Sequence, residues 1–135
     1  MTEARWKQLV ADLQQVDSVD RAVAAAENLL RESGTEDVPR LRALLKDESF
    51  FVREAAAWPL SDLGAVIALP ELLQALQRGH DEGHDNDGLC SALADLAEGN
   101  AAEAFPILKQ LAVSDDAALR ERAAWLLQFC SPRDH

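Results

Sequence analysis

Two histidines, His80 and His84, stand four residues apart in the segment Gly79-His80-Asp81-Glu82-Gly83-His84-Asp85-Asn86-Asp87-Gly88, which also carries four acids. Imidazoles among carboxylates are a donor set for a metal ion, or an acid–base pair for elimination chemistry, so His80, His84 and Asp85 are the candidate metal ligands. On one continuous helix this spacing would put both imidazoles on the same face. Three glycines in ten residues predict a loop instead. Asp85-x-Asp87-Gly88 matches part of a calcium loop, but the register that fits puts Gly83 at the first ligand and Ala94 at the closing carboxylate. The segment therefore reads as a solvated or protein-contact loop in which Asp85, Asn86 or Asp87 caps the following helix, with no cofactor expected. A metal-dependent or lyase-type enzyme using His80 and His84 is the alternative.

Other chemistry has little to stand on. The chain has no Gly-x-Ser-x-Gly, no phosphate-cradling glycine loop, no Cys-x-x-Cys and no tyrosine. Cys90 and Cys130 lie among apolar neighbours and read as small buried hydrophobes of a reducing compartment. Trp58 and Trp125 read as packing residues.

The elements that must position these residues are helical. Strand-like alternation is nearly missing, whereas apolar residues recur at helical spacing, as in Trp6, Leu9, Val10, Leu13 and again in Leu69, Leu72, Leu73, Leu76. The spacing predicts helices over 3–15, 18–33, 38–46, 49–63, 69–78, 86–98, 102–112 and 116–130. Gly34, Gly64, Gly79 and Gly99 fall just past predicted helix ends, where a left-handed residue is cheapest as glycine. Asn100 and Glu103 read as a capping pair for the seventh helix. Pro59 lies mid-helix and predicts a kink.

The helices repeat. Val38-Pro39-Arg40-Leu41, Leu69-Pro70-Glu71-Leu72 and Phe105-Pro106-Ile107-Leu108 place proline at intervals of 31 and 36, each reading as a helix start. Residues 51–60 align with 118–127 at an offset of 67, which brings Arg53 onto Arg120 and Trp58 onto Trp125. Units of this length built from two helices cannot bury their apolar faces alone and must stack. One interval is broken: Pro39 to Val52 and Pro106 to Leu119 are 13 residues, whereas Pro70 to Gly88 or Leu89 is 18 or 19. The extra residues are assigned to the His80–Asp87 segment as a rim insertion.

On the pattern Asp47…Val52-Arg53-x-x-Ala56…Leu60-x-x-Leu63-Gly64…Leu69-Pro70-x-Leu72…Leu76, repeated in Asp115…Leu119-Arg120-x-x-Ala123, the chain resembles the HEAT-like repeat family of the PBS-lyase type over residues 18–130. That resemblance implies an all-α, right-handed α-α superhelix. Here it would be one domain spanning 1–135, with a capping helix (1–17), three helix pairs (18–112) and a capping half-repeat (113–135). It further implies that the second helix of each pair lines the concave side and that loop acids pair with helix arginines, Asp47 with Arg53 and Asp115 with Arg120. Gly88-Leu89-Cys90, where Val52-Arg53-Glu54 would be expected, lacks the arginine.

Charge points to the functional class. Thirteen basic against 24 acidic residues give −11, which opposes binding to nucleic acid and to anionic membranes. No apolar run approaches a membrane span and the start does not read as a signal peptide, so a cytoplasmic protein is expected. Residues 54–108 hold ten acids and one base. The expectation is a non-enzymatic protein-binding module that presents an acidic concave or rim surface to a basic protein. Its candidate contacts are Glu71, Gln74, Gln77, Arg78, His80, Asp81, Glu82, His84, Asp85 and Asp87. Small acidic repeat proteins of this build also resemble bacterial immunity proteins that mask a basic toxin.

Overall fold

The computed structural model describes residues 1–15 and 17–130 and contains eight α-helices. They are α1 (Glu3–Leu13), α2 (Val19–Glu32), α3 (Val38–Leu44), α4 (Phe50–Asp62), α5 (Leu69–Asp81), α6 (Asp87–Gly99), α7 (Ala101–Leu111) and α8 (Ala117–Leu127), with short 3-10 turns at Thr35–Asp37 and Val66–Ala68. No strand occurs among the described residues. The end units expected at 1–17 and 113–135 include positions 16 and 131–135, which lie outside the described residues.

Four helix starts, those of α1, α2, α4 and α8, are fixed by oxygen side chains, whereas Asn86 at the start of α6 makes no side-chain cap. Thr2, Ser18, Ser49 and Asp116 each accept from the backbone N–H three positions on, at Arg5, Arg21, Val52 and Leu119. Pro39 and Pro70 sit in the first turns of α3 and α5. Pro106 does not open α7: that helix begins at Ala101, because the stretch that is a 3-10 turn before α5 is already helical here. Asn100 does not cap it through its side chain either, since its Nδ2 donates back to the Leu96 carbonyl of α6. Pro59 is buried inside an uninterrupted α4.

The helices form a two-layer stack. α2 packs on α4 and α4 on α6, with α3, α5 and α7 on the other side, α1 against α2, and α8 against α7, α5 and α6. One apolar core runs through all of it, including Leu29, Leu41, Val52, Leu60, Leu73, Leu93 and Leu108, each fully buried. The last turns of α2, α4 and α6 border a single groove and so gather at one rim, while the connections 45–49, 82–86 and 112–116 form the opposite rim.

Those three connections are the same length, so the broken interval is not a protruding loop. The six added residues lengthen α5, which runs eleven positions past Pro70, whereas α3 and α7 run only five past Pro39 and Pro106. Gly79 is therefore inside α5 rather than past its end. A Cβ there would collide with Asn86 Oδ1 and stand 3.0 Å from the Phe50 ring, so glycine is needed for close approach. The turn glycine is Gly83 (φ 80°). It sits in a Schellman motif, with His84 N–H bonded to the Gly79 carbonyl and Gly83 N–H to that of His80. Gly64 (φ 67°) ends α4 in the same way, whereas Gly34 and Gly99 are not left-handed.

Candidate functional site

Arg53 organises the 82–86 rim. Its side chain has 0% exposure, and its guanidinium donates to the carbonyls of Asp47 (2.9 Å) and Glu48 (3.1 Å) and to Glu82 Oε1 (2.5 Å). The expected Asp47 carboxylate is not its partner, because Asp47 Oδ2 accepts the Ser49 N–H and turns the chain into α4. Arg120 behaves likewise, donating to the Ser114 carbonyl (2.9 Å) and not to Asp115. In both units the arginine ties down the carbonyl six positions earlier, and among the described residues only Arg53 gains a carboxylate from beyond its own unit. The helix-capping positions Ser49, Asn86 and Asp116 align Leu89 with Val52 and place Cys90 where Arg53 stands, one residue later than the sequence alignment.

Glu82 lies between two cations. Arg78 donates Nε to Glu82 Oε2 at 2.9 Å and also reaches Glu48 at 3.3 Å and the Lys46 carbonyl at 3.4 Å. Hydrogen bonds from Arg53 and then Arg78 hold the Glu82 carboxyl below the usual carboxylate range, and the bond to Glu82 raises Arg78. The His84 ring stacks on Phe50 at 4.4 Å between centroids, and its Nε2 lies 3.4 Å from Glu82 Oε1. Asp85 Oδ1 accepts the Asp87 N–H just ahead of α6, and Asn86 Nδ2 donates to the His84 carbonyl. Glu54 sits over the first turn of α6 beside Gly88, and its carboxyl is pushed up by burial and by the nearby Asp85.

The remaining predicted contacts lie on α5. Glu71 is paired with Arg42 of α3 at 2.7 Å. Gln77 accepts from Arg122 of α8 at 3.1 Å and donates to Asp81 at 2.8 Å. Gln74, Gln77, Arg78 and Asp81 line a groove of about 210 Å³ whose far wall is the start of α8 at Asp116 and Leu119. The C-terminal helix thus leans on the helix expected to face a partner. Gln74, His80, Asp81, Asp85 and Asp87 keep exposed side chains.

His80 is on helical α5 and His84 beyond the Gly83 turn, so the two imidazoles do not share one helix face. Among the described residues no group of three or more His, Cys, Asp or Glu side chains is placed to hold a metal ion. Cys130 is buried with Sγ 3.7 Å from the Ala97 carbonyl, Cys90 is half-buried, and burial pushes both thiols up. Trp125 meets Phe129 edge to face at 5.5 Å, and Trp58 and Trp125 both pack partly on the core.

Sequence reasoning missed a second buried polar centre. Asp37, with no exposure, accepts from the Gly34 N–H (2.8 Å) and from Arg40 (2.5 Å), and Arg40 lies over the Trp6 ring at 4.5 Å. The Asp37–Arg40 spacing at the start of α3 was its only signal in the sequence. Burial opposes ionisation of Asp37, but these donors outweigh it and its carboxyl is lowered.

No described helix is long and apolar enough to cross a membrane. A family model described as HEAT repeats matches residues 7–87, more than half of the chain. No curated protein and no solved structure matches.

Proposed function

The chain belongs to the HEAT repeat family, and on that footing we propose that it is a protein-binding module whose acidic surface meets a basic partner protein. HEAT repeats generally mediate protein–protein interaction, and stacked helices offer a rigid surface for it. The observation that carries the electrostatic part is the state of the ten acids in 54–108. Among the described residues only Glu71 and Glu82 are paired with a cation, and Glu54, Asp62, Asp81, Asp85, Asp87, Asp95, Glu98 and Glu103 have none there. Unneutralised carboxylates on an ordered scaffold raise the rate of encounter with a basic surface.

The 82–86 rim offers Asp81, Asp85 and Asp87 for this, with His80 and Gln74 beside them. The test is affinity capture from native lysate at low and high salt, with wild type and with Asp81, Asp85 and Asp87 changed to lysine. Glu82 is left intact because its reversal would also unseat Arg53. A partner captured at low salt, released at high salt and lost by the reversed variant supports the reading. Absence of any partner, or one indifferent to salt and reversal, sinks it. The immunity-like version names the partner as a basic toxin, and protection of cells expressing that toxin is its own test.

A further inference from the structure

We propose that the rim opposite the His80–Asp87 segment carries an arginine-accepting groove, formed where α2, α4 and α6 end. The groove measures about 510 Å³ and is bordered by Leu30, Trp58, Asp62, Leu63, Asp95 and Asn100. It rests on the reading above that the partner is basic, and names where and how one of its side chains is held.

Three observations converge on a guanidinium. First, at two of these three helix ends the charge is the reverse of what stability favours; α2 alone carries a basic residue, Arg31, in its last turn. The negative ends of helices suit cations, yet the last turns of α4 and α6 contain no basic residue. Asp62 ends α4, and α6 has Asp95 just ahead of its last turn and Glu98 within it, of which Asp62 and Asp95 border the groove. None of the three makes an ion pair within the described chain. Second, apart from Trp58 the two uncharged polar side chains of the lining are turned to the backbone, and among the described residues the only charged groups bordering the groove are carboxylates. Ser61 Oγ donates to the Ala92 carbonyl and Asn100 Nδ2 to the Leu96 carbonyl, so the charge the groove offers is acceptor charge. Third, it has an apolar wall. Trp58 is only partly buried and Leu30 is 39% exposed. A planar guanidinium lies on an indole face and takes carboxylates at its edge, while its methylene stem covers a side chain such as Leu30. Lysine satisfies the charge but not the stacking, which commits the site to arginine.

Indole N–H resonances of Trp6, Trp58 and Trp125, assigned with Trp58→Phe, give a direct readout. The probe is a synthetic peptide of alternating arginine and alanine, with lysine and citrulline versions as controls. The Trp58 resonance is expected to move while those of Trp6 and Trp125 stay. The arginine peptide is expected to bind more tightly than the lysine one, the citrulline peptide not to bind, and Asp62→Asn with Asp95→Asn to weaken binding about tenfold. Both aspartates are at exposed helix ends, so the double variant keeps its fold, checked by its unfolding midpoint. Binding that leaves Trp58 unmoved and is lost instead with Asp81→Asn, Asp85→Asn and Asp87→Asn overturns the groove and leaves the basic-partner reading standing. Failure of the arginine peptide to bind, with the lysate partner still captured by the Asp62/Asp95 variant, does the same. Failure to capture any partner overturns the reading on which the groove rests.

Discussion

Arg53 and Glu82 meet at 2.5 Å across 29 positions of sequence, joining the start of α4 to the cap of α5. The equivalent arginine of α8, Arg120, is exposed and among the described residues has only the Ser114 carbonyl. Two residues at the same repeat position should therefore differ sharply in consequence. Arg53→Leu leaves two carbonyls without their donor and Glu82 with only one arginine, Arg78, and is expected to cost about 2–4 kcal/mol, whereas Arg120→Leu stays within about 0.5 kcal/mol. Urea unfolding midpoints at constant m-value measure both.

Glu54 and Glu82 should give pH dependences of opposite sign. The folded-state pKa of Glu82 is lowered, so its contribution is present above the ordinary carboxylate range and lost as pH falls through the folded value. Glu54 is raised, so folding carries a penalty at neutral pH that disappears as pH falls through its elevated value. Glu54→Gln is expected to stabilise the protein at neutral pH with no gain in the ordinary carboxylate range, and Glu82→Gln to destabilise it at neutral pH and flatten its acid limb. Unfolding midpoints across the acid range check both; a Glu54→Gln variant less stable than wild type at neutral pH contradicts the assignment.

Most of the fold could be read from spacing. All eight helices are visible because apolar residues recur at helical spacing, and the offset of 67 makes Arg53 and Arg120 equivalent, although both hold a carbonyl where the resemblance implied the carboxylates of Asp47 and Asp115. The end of α5 was misread because glycine usually marks a helix end. Gly79 is glycine for another reason, the approach of Phe50 and Asn86, and that is tertiary. The groove at Trp58 is not legible in the sequence because its walls come from three helices far apart in the chain, although acids without bases near the ends of two of them are.

Gly83 and Gly64 share a left-handed backbone but not surroundings. Nothing lies within 4 Å of a Cβ at Gly83, whereas one at Gly64 would meet Asn100 Oδ1 at 2.9 Å. Gly83→Ala is expected to cost about 1–2 kcal/mol, the left-handed strain alone. Gly64→Ala should cost more, since Asn100 must also move. Equal losses in thermal unfolding would contradict this.

His84 is held by its ring. Replacement with phenylalanine keeps the stack on Phe50, and replacement with alanine removes it, so the two variants should differ by about 1 kcal/mol. Neither EDTA nor zinc is expected to move the wild-type midpoint. A zinc-induced rise that both variants abolish would restore a metal role for this segment.

The added turns of α5 have a consequence for cooperativity. A stack in which each unit touches only its neighbours can fray from its ends, unit by unit. α8 packs on α6 and α7 and, through Arg122 and Gln77, directly on α5 as well, beyond its nearest neighbour in sequence. The last helix is thereby tied to the centre of the array, and amide protons of α8 should exchange with those of α5 in one concerted opening rather than ahead of it.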